Sequence, residues 1–268
     1  MIRDQRRDEA YFSELLSDLD EALAETQQAL DEGVFTSLSE QVDVAQQLFQ
    51  LAIMRAVAHY SYGSDMVSLK LSVLAILPYR QQLSATADKL PAVHQCYRQD
   101  FERLGGVGEA CGSANINRYV YALWWLALLV AVGAEQTHIQ QVLDIIAERG
   151  NDALLDRIAH KLGDTDRPIS STLYYPCTYQ ALLDAINSKG DAQAEHLNVF
   201  IRQWYDSLED ADWFDKHLCD CEFEYTDYYV GYWCFEAALI VTLFDTPKAS
   251  MNEHVMFPRA LIKGVVRG

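Results

Sequence analysis

Histidine and cysteine side chains, the usual ligands of zinc, come together at one place in the chain. The run His217-Leu218-Cys219-Asp220-Cys221 places one histidine and two cysteines within five residues. A structural zinc site normally needs a second ligand pair at matched spacing, and the sequence contains none. We therefore predict no metal site and no cofactor.

A glycine cluster, Gly105-Gly106-Val107-Gly108, could be read as a phosphate-binding loop. Such loops follow a strand, and the GxxxxGK[ST] pattern requires a lysine that is missing here. Because the preceding residues look helical, the cluster is better explained as a flexible break. It predicts an N-terminal helical sub-domain over residues 1–106, with an acidic first helix, and a C-terminal helical domain over residues 107–268.

Glu236 is a third candidate for chemistry, because it lies in an otherwise apolar run, residues 230–241. A buried and unpaired carboxylate is costly, so this group should pair or accept hydrogen bonds, with tyrosine or arginine as the expected partners. The sequence has no GxSxG, HExxH or CxxC motif, and its seven histidines are scattered. We predict a structural role for Glu236, no catalytic residues and no enzymatic activity.

The elements that would position these residues are helices. Apolar residues recur with helical periodicity, and capping residues, glycines and prolines mark the helix ends. No segment longer than a few residues alternates apolar and polar residues as a half-buried strand would. The sequence predicts an all-α fold, a bundle or array of roughly ten helices in two packed sub-domains. The expected helices cover residues 8–30, 37–60, 65–77, 91–104, 115–132, 137–148, 152–161, 178–187, 192–208, 228–244 and 259–265.

The net charge of the chain limits the kinds of partner that it is expected to bind. The 268 residues include 39 acids and 21 lysines and arginines, a net charge of −18. Nucleic acids and anionic membranes bind mainly through positive charge, so neither is expected as a partner. The longest apolar run, residues 119–132, is shorter than the roughly 20 residues of a membrane span. The charged opening residues do not resemble a signal peptide, and we expect a cytoplasmic protein.

The acids are densest between Asp206 and Asp227, which we call the acidic segment. Nine acids lie in this segment beside a single lysine, Lys216. Such self-repelling charge attracts a cationic partner and speeds its docking. Directly after it comes the aromatic run Tyr228-Tyr229-Val230-Gly231-Tyr232-Trp233.

Both ends of the chain resemble a known family. Residues 229–238, YVGYWCFEAA, look like the GYWxxEA signature of the PoNi-type immunity proteins, and Phe257-Pro258-Arg259-Ala260-Leu261 is similar to the proline-containing helix that follows it. Residues 3–12 resemble the family's RD…DExYF opening. The chain departs from the pattern at Met256-Phe257, where the family usually has an aromatic pair.

This resemblance implies an all-helical, cytoplasmic protein that protects bacteria from a DNA-degrading toxin of the PoNe type. These toxins belong to the PD-(D/E)xK nuclease group and are delivered between cells, often by a type VI secretion system. A nuclease presents a cationic groove to phosphates, which a rigid carboxylate face could cover. The expected function is binding and neutralisation of a cognate nuclease toxin. The alternative is an acidic, non-enzymatic scaffold or adaptor for a basic endogenous protein, and the aromatic surfaces also suit a homodimer.

We predict that the toxin-binding residues are the acids of the dense segment and the aromatic residues between them. This set is Asp206, Glu209, Asp210, Asp212, Trp213, Phe214, Asp215, Asp220, Glu222, Phe223, Glu224, Tyr225 and Asp227. In the alternative interpretation the aromatic residues turn inward and hold a loop on the core while the acids face water. Gly231-Tyr232-Trp233 and Glu236 are assigned to the core. A second acidic face, around Asp18, Glu21 and Glu25 of the first helix, is the other candidate interface.

Overall fold

The computed structural model describes residues 1–105, 116–146, 148–218, 228–246 and 253–263. These ranges contain helices, turns and irregular chain but no strand, so the predicted all-α class is confirmed. The helices, in chain order, are α1 (Glu9–Asp31), α2 (Leu38–Tyr62), α3 (Met66–Leu74), α4 (Ile76–Ala87), α5 (Gln99–Glu102), α6 (Ile116–Ala131), α7 (Gln136–Ile146), α8 (Ala153–Lys161), α9 (Pro176–Asn187), α10 (Asp191–Gln203), α11 (Phe235–Leu243) and α12 (Arg259–Lys263).

The chain forms two compact units. The first contains Met1–Phe101 and Asp215–Tyr232, and the second contains Glu102–Phe214 and Trp233–Gly268. The sequence did not predict that residues 215–232 belong to the first unit. The boundary expected between residues 106 and 107 stays a prediction, since residues 106–115 lie outside the described ranges.

In the first unit, α2 packs against both α1 and α4. The Asp8 side chain accepts a hydrogen bond from the Tyr11 backbone and caps α1. Ser37 and Glu40 form a reciprocal capping box at the start of α2. These caps satisfy backbone donors that have no partner within the helix, which is why the helices begin at these residues.

Two helices of the first unit differ from the prediction. The expected helix over residues 65–77 divides at Ala75 into α3 and α4, and Pro78 is the third residue of α4. Proline fits the first turn of a helix, where its missing N–H has no intrahelical acceptor. The helix expected over residues 91–104 is instead a 3-10 helix, Ala92–Arg98, followed by the single turn of α5.

In the second unit, α6 is buried along almost its whole length and packs against α11, while α9 packs against α10. Two 3-10 turns, Asp206–Leu208 in this unit and Lys216–Leu218 in the first, complete the described helical structure. Among the helices of the described ranges, none is both long and apolar enough to cross a membrane.

The predicted helix over residues 228–244 starts later than expected. α11 begins at Phe235, and residues 228–234 are irregular, with Gly231 in the left-handed region at φ 113°. Tyr232, Trp233 and Glu236 are nevertheless buried, which confirms their assignment to the core. An apolar run does not by itself distinguish a buried helix from buried irregular chain.

Candidate partner-binding surface

The acidic segment begins in the second unit with a series of tight turns. Backbone N–H groups of Leu208, Ala211 and Phe214 each donate to a carbonyl three residues earlier, over 2.9–3.1 Å. Leu208 and Ala211, which take part in this three-residue repeat, are buried. The neighbouring acids Asp206, Glu209, Asp210 and Asp212 are exposed.

Trp213 turns into the second unit. It is 5% exposed, its ring stacks on Trp204 with centroids 5.2 Å apart, and its centroid lies 5.5 Å from that of Trp124. This is the inward orientation of the alternative interpretation. Phe214 is half-buried, with its ring centroid 4.6 Å from Tyr205.

Polar contacts hold the segment on neighbouring helices. Thr178 of α9 donates its hydroxyl to the Ser207 carbonyl over 3.0 Å. From α6, the Tyr121 hydroxyl donates to the Asp212 carboxylate over 2.6 Å, and the Asn117 amide oxygen accepts from the Asp212 backbone over 2.8 Å. The exposed carboxylates therefore belong to a backbone segment that is held in place by hydrogen bonds from α6 and α9.

Three carboxylates of the segment carry unbalanced charge. Within the described parts of the chain, no lysine, arginine or histidine forms an ion pair with Asp206, Glu209 or Asp210. Asp215 belongs to the first unit and is half-buried, with φ 56°. The remaining predicted residues lie outside the described ranges: Asp220, Glu222, Phe223, Glu224, Tyr225 and Asp227.

The histidine and cysteine run is described only at its first two residues. His217 Nδ1 lies 2.8 Å from the Tyr232 hydroxyl, and Cys219, Asp220 and Cys221 are outside the described ranges. Elsewhere in the described chain, no three histidine, cysteine, aspartate or glutamate residues are grouped to hold a metal.

In the first unit, residues of the RD…DExYF opening contact Tyr229, the first residue of the block 229–238. Asp4, 1% exposed, accepts a hydrogen bond from the Tyr229 hydroxyl over 2.6 Å. The Tyr11 hydroxyl donates to the Tyr229 carbonyl and accepts from its backbone N–H. Burial and the nearby Asp4 carboxylate raise the pKa of Tyr229, so the hydroxyl keeps its proton and remains a donor.

Glu236 occupies a similar position in the second unit. Its carboxylate is fully buried and accepts hydrogen bonds from the Tyr179 hydroxyl and the Trp204 indole, both at 3.2 Å. Burial raises the pKa of Glu236 to about 7. The expected tyrosine partner is confirmed, and the tryptophan is an addition that residue spacing gave no means of predicting.

A buried ion pair supports the loop between α8 and α9. Arg167 Nε donates to Asp156 over 2.6 Å, and the exposed fractions of the two side chains are 1% and 0%. The backbone N–H groups of Gly150 and Ser170 also donate to this carboxylate. No sequence pattern indicates this pair, because the residues that bury it come from separate segments.

The fold and the exposed carboxylates define the class: an all-α protein with an acidic surface and signature residues held in its interior. Residues 150–261 match the family model of the PoNe immunity proteins (PoNi), C-terminal. The resemblance inferred from the sequence is thereby confirmed over these residues, which include the acidic segment and the GYWCFEA run. The chain matches no curated protein and no solved structure.

Proposed function

We propose that this protein is an immunity protein that binds and neutralises a cognate PoNe-type nuclease toxin without catalysing a reaction itself. The single observation that carries the proposal is the match of residues 150–261 to the PoNi C-terminal domain. During competition between bacteria, the toxin would arrive from a neighbouring cell through a secretion system such as type VI.

The contact surface we propose is the exposed acidic segment around Asp206, Glu209 and Asp210. A groove that binds DNA is lined with lysines and arginines, because phosphate contacts dominate affinity for nucleic acid. Carboxylates that form no ion pair within the described residues are available to such a groove, and they steer its approach from a distance. The stacked Trp204 and Trp213 rings fix the segment, which reduces the ordering cost of binding.

Co-expression tests the proposal. A cognate PoNe-type toxin is expressed in cells with or without this protein, with a nuclease toxin of an unrelated family as control. We expect rescue of growth from the cognate toxin alone and a complex that co-purifies. Equal killing with and without this protein would rule out an immunity role and favour the adaptor alternative.

A further inference from the structure

The first unit contains a cleft of about 260 Å³ whose lining residues come from α1, α2, α3 and α4 or their ends. Its uncharged wall consists of Leu23, Ala24, Ala52, Ala75 and Tyr79. Three of these five residues are alanines, whose side chains end at Cβ. Short alanine side chains at these positions leave space between the helices.

Ser72 contributes a buried polar group to the cleft. Ser72 is 1% exposed, and its hydroxyl makes no hydrogen bond within the described structure. A buried hydroxyl without a partner is unfavourable compared with one that is hydrogen-bonded. The Ser72 hydroxyl is therefore available to a polar atom of a guest side chain.

An ion pair between Asp20 and Arg55 also lines the cleft. Because these two charges compensate each other, the cleft itself does not select a charged guest. Largely apolar walls with the buried Ser72 hydroxyl and the phenol of Tyr79 fit an uncharged side chain that has an apolar body and one polar end, such as glutamine or threonine.

The surroundings of the cleft indicate the kind of molecule that would supply this side chain. α1 contains seven acids and no lysine or arginine, and Glu21 and Glu25 are exposed close to Ala24 in its sequence. On α3, Val67 and Leu71 are 70% and 66% exposed and lie one helical turn apart. An acidic helix and an apolar helix that both contribute to one cleft suit a cationic protein segment with apolar residues.

We propose that this cleft is a further contact site for the toxin. It receives one uncharged side chain of a toxin segment, while flanking lysines or arginines of that segment face Glu21 and Glu25. The inference rests on the proposed function and adds a binding site in the first unit to the acidic segment.

Blocking the cleft tests this. Ala24→Trp places a large ring at an exposed wall position, and Ala85→Trp is the matched control at an exposed alanine of α4 that does not line the cleft. The probe is the cognate PoNe-type toxin with its nuclease activity inactivated, titrated by calorimetry. We expect Ala24→Trp to raise Kd about tenfold or more and Ala85→Trp to change it by less than about twofold.

Ser72→Ala provides a second test that does not depend on introducing a large side chain. The variant should keep the thermal midpoint of the wild type, because the hydroxyl makes no hydrogen bond among the described residues, and should raise Kd by about three- to tenfold. Kd values for Ala24→Trp and Ser72→Ala equal to that of the wild type would overturn the proposed cleft site while leaving the immunity function intact. A wild-type protein that does not bind the toxin would instead refute the proposed function.

Discussion

Tyr229 donates its hydroxyl hydrogen to Asp4 over 2.6 Å, although 225 positions separate the two residues in the sequence. Asp4 belongs to the RD…DExYF opening and Tyr229 to the block of residues 229–238, so residues from both blocks that carry the family resemblance meet in the first unit. Buried motif residues support the fold. The proposed toxin contact therefore uses other residues, which are exposed.

Removal of the Tyr229 hydroxyl should destabilise the protein. Tyr229→Phe keeps the ring but leaves the buried Asp4 carboxylate with one donor fewer, and we expect a loss of about 1.5–3 kcal/mol in the free energy of unfolding. Tyr97→Phe, at a residue that is 47% exposed, is the control and should cost less than about 0.5 kcal/mol. Urea unfolding measures both, and equal midpoints for the two variants would show that the Asp4–Tyr229 bond has no net effect on stability.

Burial should decide the strength of two ion pairs of the same chemistry. Arg167→Leu removes the partner of the fully buried Asp156 and should cost about 3–5 kcal/mol. Arg98→Leu breaks the pair with Asp88, which is 68% exposed, and should cost less than about 1 kcal/mol. Thermal and urea unfolding of the two variants compare them directly, and similar costs would contradict the buried placement of Asp156 and Arg167.

Glu236 should make stability depend on pH. Its pKa of about 7 in the folded protein lies above the ordinary value of 4.5, so the folded state holds the proton more tightly than the unfolded state. The stabilisation is complete below about pH 4.5 and is lost as pH rises through 7, a fall of roughly 3 kcal/mol. The neighbouring Tyr179 and Cys234 have pKa values raised by burial and stay neutral across this range.

Glu236→Gln isolates this effect, because the amide does not titrate. The difference in unfolding free energy between wild type and Glu236→Gln should shift in favour of the variant by roughly 3 kcal/mol between pH 5 and pH 8. Glu195→Gln, at an exposed glutamate, is the control and should follow the wild-type pH profile. Parallel profiles for wild type and Glu236→Gln would mean that Glu236 titrates normally.

Trp213 separates a structural role from a role as an interface anchor. Because its ring is stacked on Trp204 and is 5% exposed, Trp213→Ala should lower the free energy of unfolding by about 3–5 kcal/mol. Leu218→Ala, at a residue that is 66% exposed, should change it by less than about 0.5 kcal/mol. A Trp213→Ala protein of unchanged stability that no longer binds toxin would restore Trp213 as an anchor.

Local signals predicted much of the fold. Asp8, Ser37 and Asp152 begin helices as their capping chemistry requires, and the all-α class follows from helical periodicity alone. The predicted helix boundaries were wrong where a residue can affect a helix in two ways. Pro78 lies within the first turn of α4 instead of ending a helix, and Gly231 adopts a positive φ that keeps helical structure from starting at Tyr228.

The candidate site was less predictable than the fold. Composition located the acids, and Asp206, Glu209 and Asp210 are exposed as a binding role requires. Composition did not determine the direction of Trp213, because an aromatic residue between acids suits an interface and a buried anchor equally well. The contacts that bury it come from Trp124 and Trp204, which lie in other helices or at their ends.

The association rate of a charge-reversed variant tests the central claim most directly. Asp206→Lys, Glu209→Lys and Asp210→Lys are combined, since these exposed groups have no ion pair to lose within the described structure, whereas Asp212 accepts a bond from Tyr121. The control combines Asp166→Lys, Asp191→Lys and Glu195→Lys, three exposed acids of the same unit, so both proteins have the same net charge.

Stopped-flow mixing with nuclease-inactivated toxin at several salt concentrations measures the association rate of each protein. We expect the Asp206, Glu209 and Asp210 variant to associate at least about tenfold more slowly than the wild type at low salt, with a weaker salt dependence. The control should slow by no more than about threefold, because its three residues are not part of the proposed contact surface. Equal association rates for the two variants, both folded, would contradict the acidic segment as the toxin-binding surface.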